Sequence, residues 1–166
     1  MTAQYVLYGG DHSLYTGKAR AYLRFKGLDW VEKTASREIY KTVLLPRTGV
    51  AIVPVLATAD GRYVQDTTDI IDFLEAAHPG VSVYPETPVQ KLVALLLELY
   101  GDEWLVMPAM HYRWSVLDQQ RDFIFSEFGK MSAPEASPEE QLAIGEQTSK
   151  KFRGSVTALG ITEQTK

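Results

Sequence analysis

Two β-rich segments flank the pair Asp60-Gly61 in the first half of the chain: Val55-Leu56-Ala57-Thr58 precedes the pair and Tyr63-Val64-Gln65 follows it. An Asp-Gly pair between two such segments is the strongest short-range signal for a β-hairpin. An antiparallel pair of strands is therefore the first constraint on the fold, and the rest of the N-terminal half must be built around it.

Strand and helix patterns alternate around this hairpin. Strand patterns are short and β-rich, whereas the helix patterns repeat apolar residues every three to four positions. In order, the predicted elements are a strand at 4–8, a helix at 13–26, a strand at 28–34, a helix at 36–45 that Pro46 should stop, the hairpin, and a helix at 66–78. The order β-α-β-α-β-β-α predicts an α/β domain with a mixed sheet covered by helices on both faces.

The second half of the chain has the pattern of an all-α domain. Thr87-Pro88 is a helix start signal, with Thr as the N-cap and Pro at the first helical position, and Ser137-Pro138 repeats it. The helix after Thr87 is apolar all round, which indicates burial inside a helical domain or against a partner subunit. Pro108 should kink or break it, and a further helix is predicted at 116–128. The predicted division is an α/β domain at 1–80, a linker at 81–86 and a helical domain at 87–166.

Composition and charge remove several classes of function. The chain has no cysteine, which excludes a disulfide scaffold, a thiolate metal site and a cysteine nucleophile. Lys and Arg number 17 against 21 Asp and Glu, a net charge of −4, and no basic run indicates nucleic-acid binding. Apolar stretches are too short to span a bilayer and no signal-peptide pattern is present, so we expect a cytoplasmic protein without a membrane partner. His12, His78 and His111 lack metal-ligand spacing, and no metal site is expected.

Short motifs stand at the ends of the predicted elements. The first helix opens with Ser13-Leu14-Tyr15-Thr16-Gly17-Lys18-Ala19-Arg20, Val53-Pro54-Val55-Leu56 enters the hairpin, and Asp66-Thr67 precedes the helix after it. With the Thr87-Pro88 start of the helical domain, these motifs resemble the glutathione S-transferase family over residues 5–114. The departures are Leu14 where the family usually has Pro, and Asp66-Thr67 in place of its Glu/Gln-Ser pair.

The resemblance implies a thioredoxin-like domain that binds glutathione as co-substrate, without a further cofactor, and activates its thiol for attack on a small electrophile. Ser13 stands where the family has its catalytic Ser or Cys and would donate a hydrogen bond to the sulfur, with Tyr8 as the alternative activator. The remaining implied site residues are Val53, Pro54, Asp66 and Thr67 for glutathione, Lys41 and Arg47 for its glycyl carboxylate, and His12, Met107 and His111 for the electrophile pocket.

Each of these residues also has a purely structural interpretation. Ser13 and Asp66-Thr67 fit helix N-caps, Tyr8 fits a core position on a strand, and Pro54 fits an edge strand. The alternative function is a non-catalytic binding, interaction or stress-response module of the same fold. The helical domain is shorter than is usual in the family, so we expect it to be incomplete or a fragment of a longer parent. The apolar helix predicts a homodimer.

Overall fold

The computed structural model describes residues 4–165, apart from the side chain of Ser155, and its N-terminal part contains a four-stranded mixed sheet. The strands are β1 (Tyr5–Gly9), β2 (Trp30–Thr34), β3 (Val55–Thr58) and β4 (Tyr63–Gln65), in the spatial order β2-β1-β3-β4. β1 is parallel to β2 and antiparallel to β3, and β3 is antiparallel to β4. The predicted hairpin is confirmed, and Gly61 has a φ of 86°, a left-handed conformation that glycine adopts without strain.

Helices cover both faces of this sheet. α1 (Leu14–Phe25) and α4 (Thr67–Ala77) pack on one face, around fully buried Leu7, Leu23 and Leu56. The other face carries a continuous helical segment made of α2 (Arg37–Ile39), a π-helical turn (Tyr40–Leu44) and α3 (Leu45–Thr48), with Leu44 and Val55 fully buried beneath it. The predicted thioredoxin-like α/β fold is therefore confirmed.

Pro46 does not stop this helical segment, which continues to Thr48. Pro46 lies in the first turn of α3, where the missing N–H has no intrahelical partner to lose. Side chains add hydrogen bonds within the segment: Arg47 Nη1 donates to the Thr42 and Val43 carbonyls at 3.4 and 2.9 Å, and Thr48 Oγ1 donates to the Leu44 carbonyl at 3.0 Å. The segment ends instead at Gly49, whose φ is 75°.

The C-terminal part is helical, as predicted, but its helices begin and end at other residues than expected. The interruption after the apolar helix is a π-helical turn that precedes Pro108, and Pro108 itself is accepted in the first turn of the next helix. The elements are α5 (Pro88–Leu99), the π-helical turn (Tyr100–Trp104), α6 (Val106–Trp114), a 3₁₀ turn (Leu117–Gln119), α7 (Arg121–Ser132), α8 (Pro138–Arg153) and α9 (Ser155–Ala158). Within residues 4–165, no helix has the length and apolarity needed to cross a bilayer.

The apolar helix α5 is not covered by the rest of the described chain. None of its residues is buried. Its exposed side chains include Val89 (72%), Leu92 (58%), Val93 (50%), Leu96 (55%) and Leu97 (64%). Burial inside the helical domain, one of the two predicted explanations for the apolar pattern, is therefore not found among residues 4–165.

α7 and α8 form the tightest contact in the helical part. Their core contains Ile124, Phe125 and Phe128 from α7 and, from α6, Trp114. The two backbones touch at Gly129 and Gly145, where any side chain would overlap main-chain atoms of the facing helix. This contact fixes how the inner faces of the two helices are placed, and both of those faces line the larger cavity described below.

Candidate active site

Polar contacts join the two parts of the molecule along one cleft. Lys18 on α1 places its Nζ 2.7 Å from Glu98 Oε1 and 2.6 Å from Asp102 Oδ2, both on the helical side. Tyr15 donates its hydroxyl hydrogen to the Asp102 carbonyl at 2.6 Å. Arg113 Nη2 on α6 donates to the backbone carbonyl of His12, in the loop before α1. The start of α1 is thus held against α5 and α6, and two cavities lie along this junction.

The smaller cavity has a volume of about 400 Å³ and lies between the start of α4 and the end of α5. Val53 and Pro54 form one wall, and the peptide bond between them is cis. The other lining residues are Tyr15, Ile52, Gln65, Asp66, Thr67, Thr68, Leu95, Glu98, Leu99, Asp102 and Glu103.

The start of α4 gives this cavity both hydrogen-bond donors and a negative charge. Asp66 is the N-cap residue, and its carboxylate accepts a hydrogen bond from the Thr68 N–H at 2.9 Å. Thr67 is buried, at 3% exposure, and its N–H belongs to the first turn, where backbone donors have no intrahelical partner. Such donors suit a carboxylate. The carboxylate of Asp66 suits an ammonium group, and Glu98, which is already paired with Lys18, adds negative charge beside it. The cavity can therefore bind both ends of an amino acid.

The larger cavity has a volume of about 700 Å³ and lies between the loop before α1 and the inner faces of α6, α7 and α8. Ser13, the N-cap residue of α1, stands at its edge, and its Oγ accepts from the Thr16 N–H at 3.2 Å. No residue of the described chain accepts a hydrogen bond from the Ser13 hydroxyl, so this O–H is available to a ligand. Tyr15 and Val53 line both cavities, which therefore meet beside Ser13.

His12 lies in the wall of the larger cavity as a neutral ring. It packs on Phe128 with 4.6 Å between ring centroids, and its Nδ1 has no hydrogen-bond partner within residues 4–165. Burial, and secondly the positive charge of Arg113, lowers the pKa of His12 to about 4. Burial also lowers the pKa of Arg113. In the part of the chain that the structure describes, no group of three or more His, Asp or Glu residues is placed to hold a metal ion.

Most of the residues proposed from sequence line these cavities. Val53, Pro54, Asp66 and Thr67 line the smaller one, and His12, Ser13, Lys41 and again Val53 line the larger one. Two of the remaining residues lie in the sheet and helix packing: Tyr8 is 8% exposed and stacks on Tyr63, and the Arg47 guanidinium lies 4.9 Å from the same ring. Neither of them is among the lining residues of a cavity.

Met107 and His111 also lie outside both linings, for a reason of helix geometry. Val106, Met110 and Arg113 are spaced at i, i+4 and i+7, so they share the face of α6 that lines the larger cavity. Met107 and His111 are each one position further along, on the adjacent stripe. Met107 is 39% exposed, and His111 packs edge-on against Tyr112.

Several lining residues were not singled out from the sequence. On the helical side the charged ones are Glu98, Asp102, Glu103, Arg113 and Lys151, each more than 30 residues from the nearest predicted glutathione-binding residue. They come from α5, the π-helical turn, α6 and α8. No motif connects them, although the i, i+4, i+7 spacing in α6 would have suggested that Met110 and Arg113 act together.

Comparison with known proteins agrees with this geometry. The family model for the glutathione S-transferase N-terminal domain matches residues 7–82. The resemblance to the glutathione S-transferase family is confirmed. A Caenorhabditis elegans protein described as a probable maleylacetoacetate isomerase is 30% identical over 96 residues, covering 57% of this chain and 44% of that protein. The chain thus spans less than half the length of this curated relative.

Solved glutathione S-transferase structures share the fold of both parts. The Methylobacterium radiotolerans enzyme, solved in complex with glutathione sulfonate, is 25% identical with a TM-score of 0.57, and the match covers 87% of this chain and 64% of that one. The Rhodospirillum rubrum enzyme is 21% identical with a TM-score of 0.57, and the match covers 89% and 62% of the two chains. The glutathione S-transferase fold therefore includes the helical part, beyond residue 82.

Proposed function

We propose that this chain binds glutathione in the smaller cavity and activates its thiol at Ser13 for attack on a small electrophile in the larger cavity. The observation that carries the proposal is the meeting of the two cavities at Tyr15 and Val53, beside the Ser13 hydroxyl. A peptide in the smaller cavity can extend past Val53 and bring its sulfur to the edge of the larger one. The complex of the Methylobacterium radiotolerans relative with glutathione sulfonate supports glutathione as that peptide.

The smaller cavity matches the γ-glutamyl end of glutathione. Its carboxylate would accept hydrogen bonds from the free N–H and the hydroxyl of Thr67 at the start of α4. Its ammonium would lie against the carboxylates of Asp66 and Glu98. The cysteinyl backbone would pair with Val53, directly before β3, as an added strand. Lys41, on the wall of the larger cavity, is then the nearest predicted partner for the glycyl carboxylate.

Ser13 would act by stabilising the thiolate. The thiolate is the nucleophile, and a free thiol with a pKa of about 8.5 supplies little of it at neutral pH. A hydroxyl hydrogen bond and the N-terminal end of the 12-residue helix α1 both favour the anion, which lowers the thiol pKa in the complex. Ser13 cannot be the base, because its own hydroxyl pKa is far too high.

Calorimetry with glutathione tests the binding step. Thr67→Val removes the hydroxyl while keeping the shape, and we expect glutathione to bind about fivefold more weakly. Thr42→Val is the matched control, because Thr42 is exposed, its hydroxyl donates to the Glu38 carbonyl of its own helical segment, and it lines neither cavity. A parent protein that gives no binding heat at millimolar glutathione would contradict the proposal. Binding without conjugation of an aryl chloride would favour the non-catalytic module instead.

The exposed face of α5 leads to a second expectation, a homodimer. Val89, Leu92, Val93 and Leu96 form a continuous apolar strip on this helix. Light scattering should therefore give twice the mass of the chain at a concentration of roughly tens of micromolar. Leu96→Glu should give the monomer mass, whereas Val81→Glu, at a still more exposed valine outside α5, should not. A parent protein that is monomeric under these conditions would show that α5 is not a dimer interface.

A further inference from the structure

The two cavities have opposite charge. The smaller cavity is lined by Asp66, Glu98, Asp102 and Glu103, and no Lys or Arg of the described chain lines it. The larger cavity is lined by Arg37, Lys41, Arg113 and Lys151, and none of its described lining residues is Asp or Glu. The chain as a whole carries a net charge of −4, so a cavity lined by four cations has the opposite sign to the rest of the molecule. The larger cavity is therefore suited to an anion.

The cations of the larger cavity stand on two different walls. Arg37 and Lys41 belong to α2 and the π-helical turn of the N-terminal part, where the glycyl carboxylate of glutathione is proposed to lie. Arg113 and Lys151 belong to α6 and α8, on the helical wall. The proposed binding of glutathione uses neither of this second pair, which leaves them for the other substrate.

Arg113 and Lys151 lack a carboxylate partner in the described chain. The ion pairs found within residues 4–165 involve neither of them. Arg113 is half-buried and contacts the His12 carbonyl and, at 3.8 Å, the Met110 sulfur. Lys151 Nζ lies 4.8 Å from the centre of the Phe152 ring. A guanidinium that has lost part of its hydration without gaining a counter-charge gains strongly from an arriving anion.

Apart from these cations the larger cavity is mostly apolar, with Ser13, Ser132, Gln147 and Thr148 among its polar lining residues. Its apolar side chains include Val106 and Met110 of α6, Phe128 and Met131 of α7, and Tyr40 from the opposite wall. These side chains suit a flat, apolar molecule. The neutral His12 ring packed on Phe128 adds to the same surface.

We propose that the electrophile of this enzyme is an anion: an apolar molecule of aromatic size carrying a carboxylate, which Arg113 and Lys151 bind on the helical wall. This inference rests on the proposed function, because it names the class of the second substrate of the same site. In the conjugation step the glutathione thiolate forms a C–S bond at the electrophilic carbon, and the leaving group departs with the electrons of the bond that breaks. The carboxylate takes no part in this step and serves recognition alone.

A pair of probes of one shape and different charge tests the inference without glutathione. Calorimetry is carried out with 3,5-dinitrobenzoate and with its neutral isostere 3,5-dinitrobenzamide, and no thiol is present that could react with either. We expect dinitrobenzoate to bind at least about tenfold more tightly, and added salt to weaken dinitrobenzoate alone. Lys151→Met should reduce the preference by about fivefold. Lys150→Met is the matched control, because Lys150 bonds the Gln147 side chain and lines neither cavity.

Arg113 needs a second variant because it also holds the loop before α1. Arg113→Gln removes the charge and keeps an N–H donor for the His12 carbonyl, and it should reduce the preference for dinitrobenzoate further. Equal affinities for the two probes, or an unchanged preference in both variants, would overturn the inference. A protein that binds glutathione but shows no preference overturns this inference alone. A protein that prefers dinitrobenzoate but binds no glutathione instead overturns the proposed function and leaves the anion site standing.

Discussion

Gly145→Ala is expected to lower the free energy of unfolding by about 3 kcal/mol or more. A Cβ at this position would lie 1.7 Å from the Phe125 carbonyl oxygen and 2.9 Å from the Gly129 backbone nitrogen. Both are main-chain atoms of α7, so no side chain can rotate away to make room. The two helices would have to separate, which would open the core around Phe125 and Phe128. Urea unfolding followed by circular dichroism measures the loss.

Gly17→Ala is the matched control for this prediction. Gly17 lies inside α1, and a Cβ there meets no atom within 4 Å. The same substitution should therefore stabilise the protein by about 0.5–1 kcal/mol, because alanine restricts the unfolded chain and favours helix. If the Gly145 variant proves as stable as the parent, α7 and α8 do not approach each other this closely.

Under the proposed function, Ser13→Ala is expected to lower kcat for conjugation by about tenfold to a hundredfold. Without the hydroxyl donor the thiolate of bound glutathione loses stabilisation, so the pKa of the bound thiol rises. The rising limb of the pH–rate profile should then move to higher pH, and the defect should shrink in alkaline buffer. The measurement is kcat for an aryl chloride across the pH range, at saturating glutathione.

Two further variants separate sulfur activation from helix capping, since the Ser13 Oγ also accepts the Thr16 N–H. Ser13→Thr keeps both the cap and the donor and should retain most of the activity. Ser13→Asp keeps the cap but brings a negative charge and no donor, so it should fold normally and lose activity. Full activity in Ser13→Ala, together with a loss in Tyr8→Phe, would transfer the role to Tyr8, although its 8% exposure and its stacking on Tyr63 argue against this.

Short-range signals predicted the fold of the N-terminal part well. The Asp60-Gly61 hairpin is present, and Ser13, Asp66, Thr87 and Ser137 cap the helices that they were expected to start. These signals work because a turn or a cap is made by a few neighbouring residues, whose hydrogen bonds form whatever the rest of the chain does. Proline was the weaker signal: Pro46 and Pro108 both lie in the first turn of a helix, where the missing N–H costs little.

Only part of the candidate site could be predicted from such short-range signals. Ser13, Val53 and Thr67 occupy motif positions, so their place beside a cavity could be expected. Lys41 and Arg47 are both basic and close in sequence, yet Lys41 lines the larger cavity and Arg47 packs over Tyr63. The difference is one of direction, since their backbones turn these side chains to different sides of the same helical segment.

The sequence by itself determined the order of strands and helices, the starts of the capped helices and the resemblance to glutathione S-transferases, because all of these depend on neighbouring residues. Only the tertiary structure decided that Glu98 and Asp102 face one cavity while Arg113 and Lys151 face the other. Charge in a cavity depends on which distant helices converge there, and that convergence is set by packing such as the Gly129–Gly145 contact. The exposure of α5 was likewise decided by the tertiary structure. The apolar pattern alone fitted two explanations, burial inside the helical domain and burial against a partner subunit.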